Sequence, residues 1–400
     1  MNFPTSHNPM INGFRLKLVI RLLKLHIFLV VLTYTRSWKR TVQIVSIIRE
    51  KIRQYRGPKA IQKIARVNGK YHWDMYGVGW PSRAFVRNVR RECKRIESGS
   101  EHAGMRNVLM AITTKCPLQC EHCFEWNNLN SKERLSFSDL TTIIEKLIDH
   151  GVGQIHLSGG EPMMRYEEIL KLLVKYSNHT GFWIITSGYG VTPERALQLK
   201  KAGLTGLSVS LDHHLEPDHN RFRNHRDAFT MAQQAVSAGN GAGLVTSLSL
   251  CSTKEYTTAQ NLMTYAELAR SWGVSFIQLL EPKAVGHYEG KPVHLSEAHK
   301  KILEAFFLTL NNQEAYRSYP NVIYHEYYMP TIGCRGAGNG TFYIDPLGEV
   351  HPCPFCRNAS GNLVNDSVEY CLSNLRGSGC PSPSVPLPQI RKREEFAVRM

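Results

Sequence analysis

Three cysteines, Cys116, Cys120 and Cys123, fall within eight residues in the pattern C-x3-C-x2-C. This spacing lets thiolates from one compact loop converge on a metal centre. Three thiolates are one short of a closed structural zinc site. They are the right number for an iron–sulfur cluster that leaves one iron open to a small molecule. Taken alone, the loop leaves both readings open. A second stretch with chemical potential is Gly159-Gly160-Glu161-Pro162. Its glycines let backbone approach a ligand closely, and Glu161 offers an acceptor to a ligand ammonium group. A plain turn would account for the glycine pair, but not for its position one strand–helix unit after the cysteine loop.

The elements that must carry these residues alternate regularly from Asn107. Strand-like apolar runs lie at Val108–Thr113, 154–158, 182–186, 206–211, 244–250 and 276–280. Helical stretches between them include Ser136–His150, with Ser136 or Ser138 as N-cap, and 166–177, 225–238 and 258–272. Strand–helix alternation argues for a parallel sheet with right-handed crossovers. A cysteine loop directly after the first strand places the chemistry at the strand ends, as in α/β barrels. Ahead of this core, Asn68-Gly69 marks a hairpin turn between Ile64–Val67 and Tyr71–Trp73. Cys93 and Cys251 read as bystander thiols, and the loop carrying His213, His214 and His219 reads as solvated.

The C-x3-C-x2-C loop followed by a G-G-E-P turn after the next strand resembles the signature of the radical S-adenosylmethionine (radical SAM) enzymes. The resemblance covers roughly residues 105–310, with a further match to about residue 381. It implies a partial (βα)6 barrel. It also implies a [4Fe–4S] cluster on Cys116, Cys120 and Cys123, whose fourth iron binds S-adenosylmethionine. Reductive cleavage would then give a 5′-deoxyadenosyl radical that abstracts hydrogen from a substrate. The cofactor contacts it implies are Phe124, Gly159, Gly160, Glu161, Pro162, Ser187 (where the family's T-N-G turn has Asn), Ser208, Ser210, Asp212 and Arg223. Arg223 is a candidate clamp for a carboxylate, which a guanidinium binds through two hydrogen bonds.

In the tail, Cys334, thirteen residues, Gly348, four residues, Cys353 and then Cys356 resemble the SPASM/Twitch extension, which binds auxiliary [4Fe–4S] clusters. Too few cysteines remain for two clusters, so a one-cluster, Twitch-like form is expected. Cys371, in a helical run, and Cys380, after a glycine loop, compete for the fourth position. Cys380 is favoured, and a zinc knuckle is the alternative.

The chain of 400 residues carries a formal net charge of +16 and 42% hydrophobic residues, so it is globular with an anionic partner in view. Between Arg15 and Arg56 there are eleven Lys or Arg residues and one acid, Glu50. The longest uncharged run, Leu25–Thr35, is shorter than the roughly 20 apolar residues of a spanning helix. With Tyr34 and Trp38 beside it, this stretch suits a helix lying in a membrane interface; docking on protein is the bland alternative. Ten cysteines at metal-like spacings, with no evident cleaved secretory signal, point to a reducing cytoplasm.

The expected organisation is a basic segment (1–60), a pre-barrel element (61–104), the barrel (105–310), a SPASM/Twitch-like domain (311–381) and a disordered tail (382–400). The expected function is a radical SAM enzyme acting on a peptide, small molecule or lipid, with a flavodoxin- or ferredoxin-type reductant. The competing readings are a non-enzymatic metal-binding membrane adaptor, which leaves Gly159–Pro162 unexplained, and a nucleic-acid-modifying radical SAM enzyme. The positive charge concentrates at the front of the chain, away from the barrel mouth, which counts against nucleic acid.

Overall fold

The structure is a computed structural model that describes residues 9–56, 61–99, 106–375 and 378–380. The expected tail at 382–400 lies outside the described residues. An N-terminal unit comes first. It comprises β1 (Met10–Asn12), α1 (Gly13–Thr35), α2 (Trp38–Arg56), the hairpin β2 (Lys63–Val67) and β3 (Lys70–His72), and α3 (Arg83–Glu97). Asn68 and Gly69 both take positive φ, 46° and 73°, which is what a two-residue hairpin turn between right-twisted strands requires. Among the described residues no helix is long and apolar enough to cross a membrane.

The main body alternates β4 (Asn107–Ala111), α4 (Phe137–His150), β5 (Gln154–Ser158), α5 (Tyr166–Tyr176), β6 (Gly181–Thr186), α6 (Pro193–Ala202) and β7 (Gly206–Ser210). It continues through α7 (Glu216–Arg223), α8 (Ala228–Gly241), β8 (Val245–Cys251), α9 (Ala259–Ser271), β9 (Phe276–Leu280), α10 (Glu297–Asn312) and β10 (Asn321–Tyr324). After α11 (Met329–Ile332) come β11 (Tyr343–Ile344), β12 (Val350–His351) and α12 (Val368–Leu375). The sheet order is β10-β9-β8-β7-β6-β5-β4-β11-β12, and every pair from β4 to β10 is parallel. Ser136 caps α4 in a reciprocal pair with Asp139.

Two features differ from the sequence reading. A seventh parallel strand, β10, follows the six expected ones. It is only four residues long and begins straight after Pro320, so it leaves little periodic signal. The second is that the tail joins the barrel's sheet: β11 pairs in parallel with β4, Tyr343 opposite Leu109.

Strand alternation separates two environments. Val108, Leu157, Leu207, Val209, Leu248, Leu250 and Leu279 pack outward in one cluster with Ile143, Leu147, Ile169, Leu173 and Leu303 of the helices. Ser208, Ser210, Ser247, Ser249 and Gln278 take the alternate, inward positions. Tyr76 enters this lumen from the end where the strands begin. Its ring stacks on His156 at 5.4 Å and meets His325 edge-on at 4.6 Å. Below it, Ala65 and Met75 pack on Trp183, Val245 and Phe276 near the strand starts. Arg91 donates to the carbonyl of Gly151 at 2.7 Å and Arg87 to that of Asn178 at 2.8 Å, in the turns entering β5 and β6. The N-terminal unit therefore closes the end of the barrel opposite the cysteine loop.

Lys63 fastens this closure. It is 2% exposed, and its ammonium donates to the carbonyls of Tyr316, Tyr319 and Pro320 at 3.0, 2.8 and 2.9 Å, matching its three donors. Lys63→Met would leave three carbonyls of the approach to β10 without that partner. Burial pulls the Lys63 amine down to about 7, so losing its bonds at about 0.5–1.5 kcal/mol each should lower the thermal midpoint by about 5 °C. A scanning-fluorimetry midpoint equal to wild type would show that the closure does not depend on this residue.

Candidate functional site

The cysteine loop leaves β4 at the strand ends and folds back on itself. Asn130 pins its entry: its side-chain carbonyl accepts from the amide of Cys116 at 3.0 Å and its amide donates to the Cys116 carbonyl at 3.1 Å. The three thiols gather with Leu118, Ala228 and Met231. Burial pushes the Cys116 and Cys123 thiols up to about 12 and raises that of Cys120. As free groups they are protonated near neutral pH, and a bound cation is what displaces such protons. Four thiolates around one zinc lie about 3.8 Å apart, given Zn–S near 2.3 Å and tetrahedral angles. Among the described residues, the one group of three potential ligands lying within 4.8 Å of one another is Asp345, Glu349 and His351. The cysteine triad instead supplies three thiolates from one loop, a set that suits a cluster with one thiolate per iron and one iron left open.

The Gly-Gly-Glu-Pro turn does something the sequence did not reveal. Gly159 has φ 133°, and a Cβ there would stand 2.5 Å from the carbonyl oxygen of Thr113; one on Gly160 would stand 2.3 Å from that of Lys115. The glycines admit backbone, but it is the backbone leading into the cysteine loop. The amides of Gly160 and Glu161 donate to Thr113 and Lys115 at 2.8 and 2.7 Å. Glu161, 1% exposed, accepts from the amide of Met163 at 3.1 Å, Thr186 Oγ1 at 2.7 Å, the Ser187 amide at 2.8 Å and Ser187 Oγ at 2.6 Å. Its carboxylate, with about four acceptor positions, is filled by protein donors. Glu161 thus forms a strut between turns, with Ser187 as its partner. Pro162 is buried in the short helical turn that Glu161 caps.

At the end of β7 the residues divide. Ser208 is fully buried and its hydroxyl has no hydrogen-bond partner, while Ser210 is half-buried on the same inward side. Asp212 and Arg223 hold each other at 2.6 and 2.5 Å. Asp212 also accepts from the Cys251 amide at 2.9 Å. Burial pushes the Asp212 carboxyl up, but Arg223, His122 and His219 outweigh it and leave it below the ordinary range. Arg223 is not a free clamp: its remaining side-chain contact is Cys120 Sγ at 3.6 Å. His219 accepts from the Asp212 amide at 3.0 Å, so that histidine serves the turn.

The tail cysteines converge. Cys380 neighbours Cys334, whose thiol is raised chiefly by burial. Cys356 is pushed up to about 12 by burial and then by its neighbours Cys353 and Cys380. Gly336 and Gly379 crowd the Cys334 sulfur, where a Cβ would stand 3.4 and 3.6 Å from it. Cys371 lies elsewhere, 1% exposed in the apolar core beside Val368 and Leu375.

Several residues around the loop gave no sequence signal. Arg357, next to Cys356, pairs with buried Glu125 at 2.6 Å and donates to the Phe124 carbonyl. The Tyr343 hydroxyl donates to the same Glu125 carboxylate. Phe124 therefore faces the tail, 5.9 Å from the Tyr343 ring and 6.2 Å from Phe355. The His287 amide donates to the Cys123 carbonyl at 3.0 Å, and its ring stacks on Trp126 at 3.8 Å. Gly286 (φ 58°) permits this, since a Cβ would stand 2.3 Å from the Cys123 carbonyl oxygen. Beside the loop a cavity of about 250 Å³ opens, lined by Glu121, Asp218, Phe222, Glu255, Tyr256 and Tyr288 among others.

Residues 110–250 match the profile of the Radical SAM superfamily. A PqqA peptide cyclase from Streptomyces rochei is 27% identical over 275 residues, which is 67% of this chain and 74% of that protein. The mycofactocin maturase MftC of Mycolicibacterium smegmatis is 25% identical over 268 residues, 64% of this chain and 66% of its own. The structure of Streptococcus suis SuiB bound to precursor peptide SuiA superposes with a TM-score of 0.56 at 16% identity, over 71% of this chain and 68% of that one. The profile lies over the cysteine loop and the strands that present it, so residues 110–250 form a Radical SAM domain, the class of enzyme that uses a [4Fe–4S] cluster and S-adenosylmethionine, and a cysteine-rich tail like the SPASM/Twitch extension follows it.

Proposed function

We propose that this enzyme modifies a peptide, and that Cys116, Cys120 and Cys123 hold the cluster that binds S-adenosylmethionine. The observation that carries the site assignment is the gathering of three thiols, one buried and two half-buried, in one loop at the strand ends. When bound and reduced by one electron from a flavodoxin- or ferredoxin-type donor, these cofactors supply a 5′-deoxyadenosyl radical that takes a hydrogen atom from the substrate. The chain's part is positional. Glu161 holds the loop entry in register, and Arg223 keeps positive charge beside Cys120. The unpartnered hydroxyl of Ser208, with Ser210 and the backbone of Gly159–Pro162, offers polar groups to S-adenosylmethionine. Cys334, Cys353, Cys356 and Cys380 hold one auxiliary [4Fe–4S] cluster in a tail spanning 311–381, with Cys371 left as a core residue.

Support for a peptide comes from the relatives, a peptide cyclase and a maturase, and from a neighbour of the same fold seen with a precursor peptide. A membrane lipid is disfavoured by geometry, because the N-terminal unit lies at the end of the barrel away from the cysteine loop. That unit has its own role in this reading. Phe14, Leu18, Leu22, Leu25 and Leu29 are exposed three and four residues apart, so they share one face of α1. Arg15, Lys17, Arg21 and Lys24 are exposed around them, and Trp38 is 67% exposed nearby. Such a face suits peripheral attachment to an anionic membrane.

Anaerobic turnover with a reductant and panels of ribosomal peptides or lipid extracts, read as 5′-deoxyadenosine by mass spectrometry, tests the substrate. Peptide-stimulated formation is expected; stimulation by lipid alone would replace the reading. Iron counting tests the ligands. The triple variant Cys116/Cys120/Cys123→Ala should keep about four irons per chain; adding Cys380→Ala should lose them and adding Cys371→Ala should not. Stoichiometric zinc without iron would turn the tail into a structural knuckle. For the membrane face, co-sedimentation with phosphatidylglycerol vesicles should fall about tenfold or more in Leu18→Glu/Leu25→Glu, and in 1 M salt, where the Debye length shrinks to about 3 Å. Equal binding to neutral vesicles would argue against an electrostatic attachment.

A further inference from the structure

The hairpin β11–β12 brings together three side chains that the cysteine chemistry does not use. Asp345 follows β11, Glu349 precedes β12 and His351 ends it. Asp345 Oδ1 accepts from the amides of Leu347 and Glu349, both at 2.9 Å. This closes the turn and fixes the direction of Oδ2. His351 Nε2 lies 3.3 Å from that Oδ2 and 3.9 Å from Glu349 Oε2. The imidazole is 3% exposed, and neither ring nitrogen makes a hydrogen bond. Burying such a group without partners is costly. All three ligand atoms fall within 4.8 Å of one another.

We propose that Asp345, Glu349 and His351 form a mononuclear divalent-cation site, separate from both cysteine sets. One imidazole nitrogen and two carboxylate oxygens are a borderline donor set of the kind that holds zinc with a further position for water. The two amides on Asp345 Oδ1 supply the ordering that a ligating carboxylate needs. Two anionic ligands neutralise a dication, and the nearby Arg357 is already engaged by Glu125 at 2.6 Å. The bound ion would clip the two strands of a hairpin whose continuation carries Cys353, Cys356 and Arg357. The proposal does not rest on the tail thiols holding iron.

The test uses the iron-loaded holoenzyme, equilibrated anaerobically with zinc sulfate and desalted, with zinc and iron counted per chain by mass spectrometry. About one zinc per chain is expected in the wild type. It should be lost in His351→Asn and in Glu349→Gln, with iron unchanged in both. The Glu349 side chain is 41% exposed, so its variant removes a ligand with little risk to the fold. Less than about 0.2 zinc in the wild type would overturn the site and leave His351 as a partner of Asp345 alone. Zinc that persists in both variants and disappears only when tail cysteines are replaced would overturn it equally.

Discussion

The Glu161 carboxylate accepts from the amide of Met163 and from Thr186 and Ser187, while its own amide donates to Lys115. Three chain segments, those leaving β4, β5 and β6, therefore meet at one buried acid. Burial raises its carboxyl, and the hydrogen bonds from Ser187, Thr186 and Met163 act against that rise. A buried charge without such donors would cost several kcal/mol. The cysteine loop inherits its position from this joint, because the turn that Glu161 caps is pressed against the loop's entry. The glycines belong to the same constraint, since a side chain at either would collide with the backbone of Thr113 or Lys115.

Charge is distributed around the thiols by two ion pairs, one buried and one whose arginine is half-buried. Arg223 with Asp212 stands behind Cys120. Arg357 with Glu125 joins the segment after Cys123 to the segment after Cys356. Buried ion pairs of this kind seldom stabilise a fold more than apolar side chains would, but losing one partner strands a charge at a cost of about 3–5 kcal/mol. Their service is register. With the Tyr343 hydroxyl on the same Glu125 carboxylate, and β11 paired to β4, the tail is held against the cysteine loop by both backbone and side chains.

The cysteine spacing, the Gly-Gly-Glu-Pro turn, the first six strands and the Asn68-Gly69 hairpin were legible because each is local: spacing, period two and turn chemistry are all carried by neighbours in sequence. The roles of Glu161, Asp212 and Arg223 were not. All three read as ligand-binding groups by type and position, yet their acceptors and donors meet partners that only the fold brings near. Glu125, Arg357 and Tyr343 had no motif at all, since Glu125 lies more than 200 residues before the other two. Strand β10 escaped because four residues after a proline carry too short a pattern to count.

The net charge of +16 is a poor guide to what the enzyme's mouth recognises. The exposed basic residues of α1 sit on the unit that closes the opposite end of the barrel. The cavity beside the cysteine loop is lined instead by Glu121, Asp212, Asp218 and Glu255, with Arg221 its basic member. Asp212 is neutralised by Arg223, and Asp218 by Arg221 at 2.7 Å. Glu121 and Glu255 have no ion-pair partner among the described residues, so the cavity wall carries two carboxylates without a paired cation. The exposed basic residues of α1 and this acid-lined cavity therefore lie at opposite ends of one barrel.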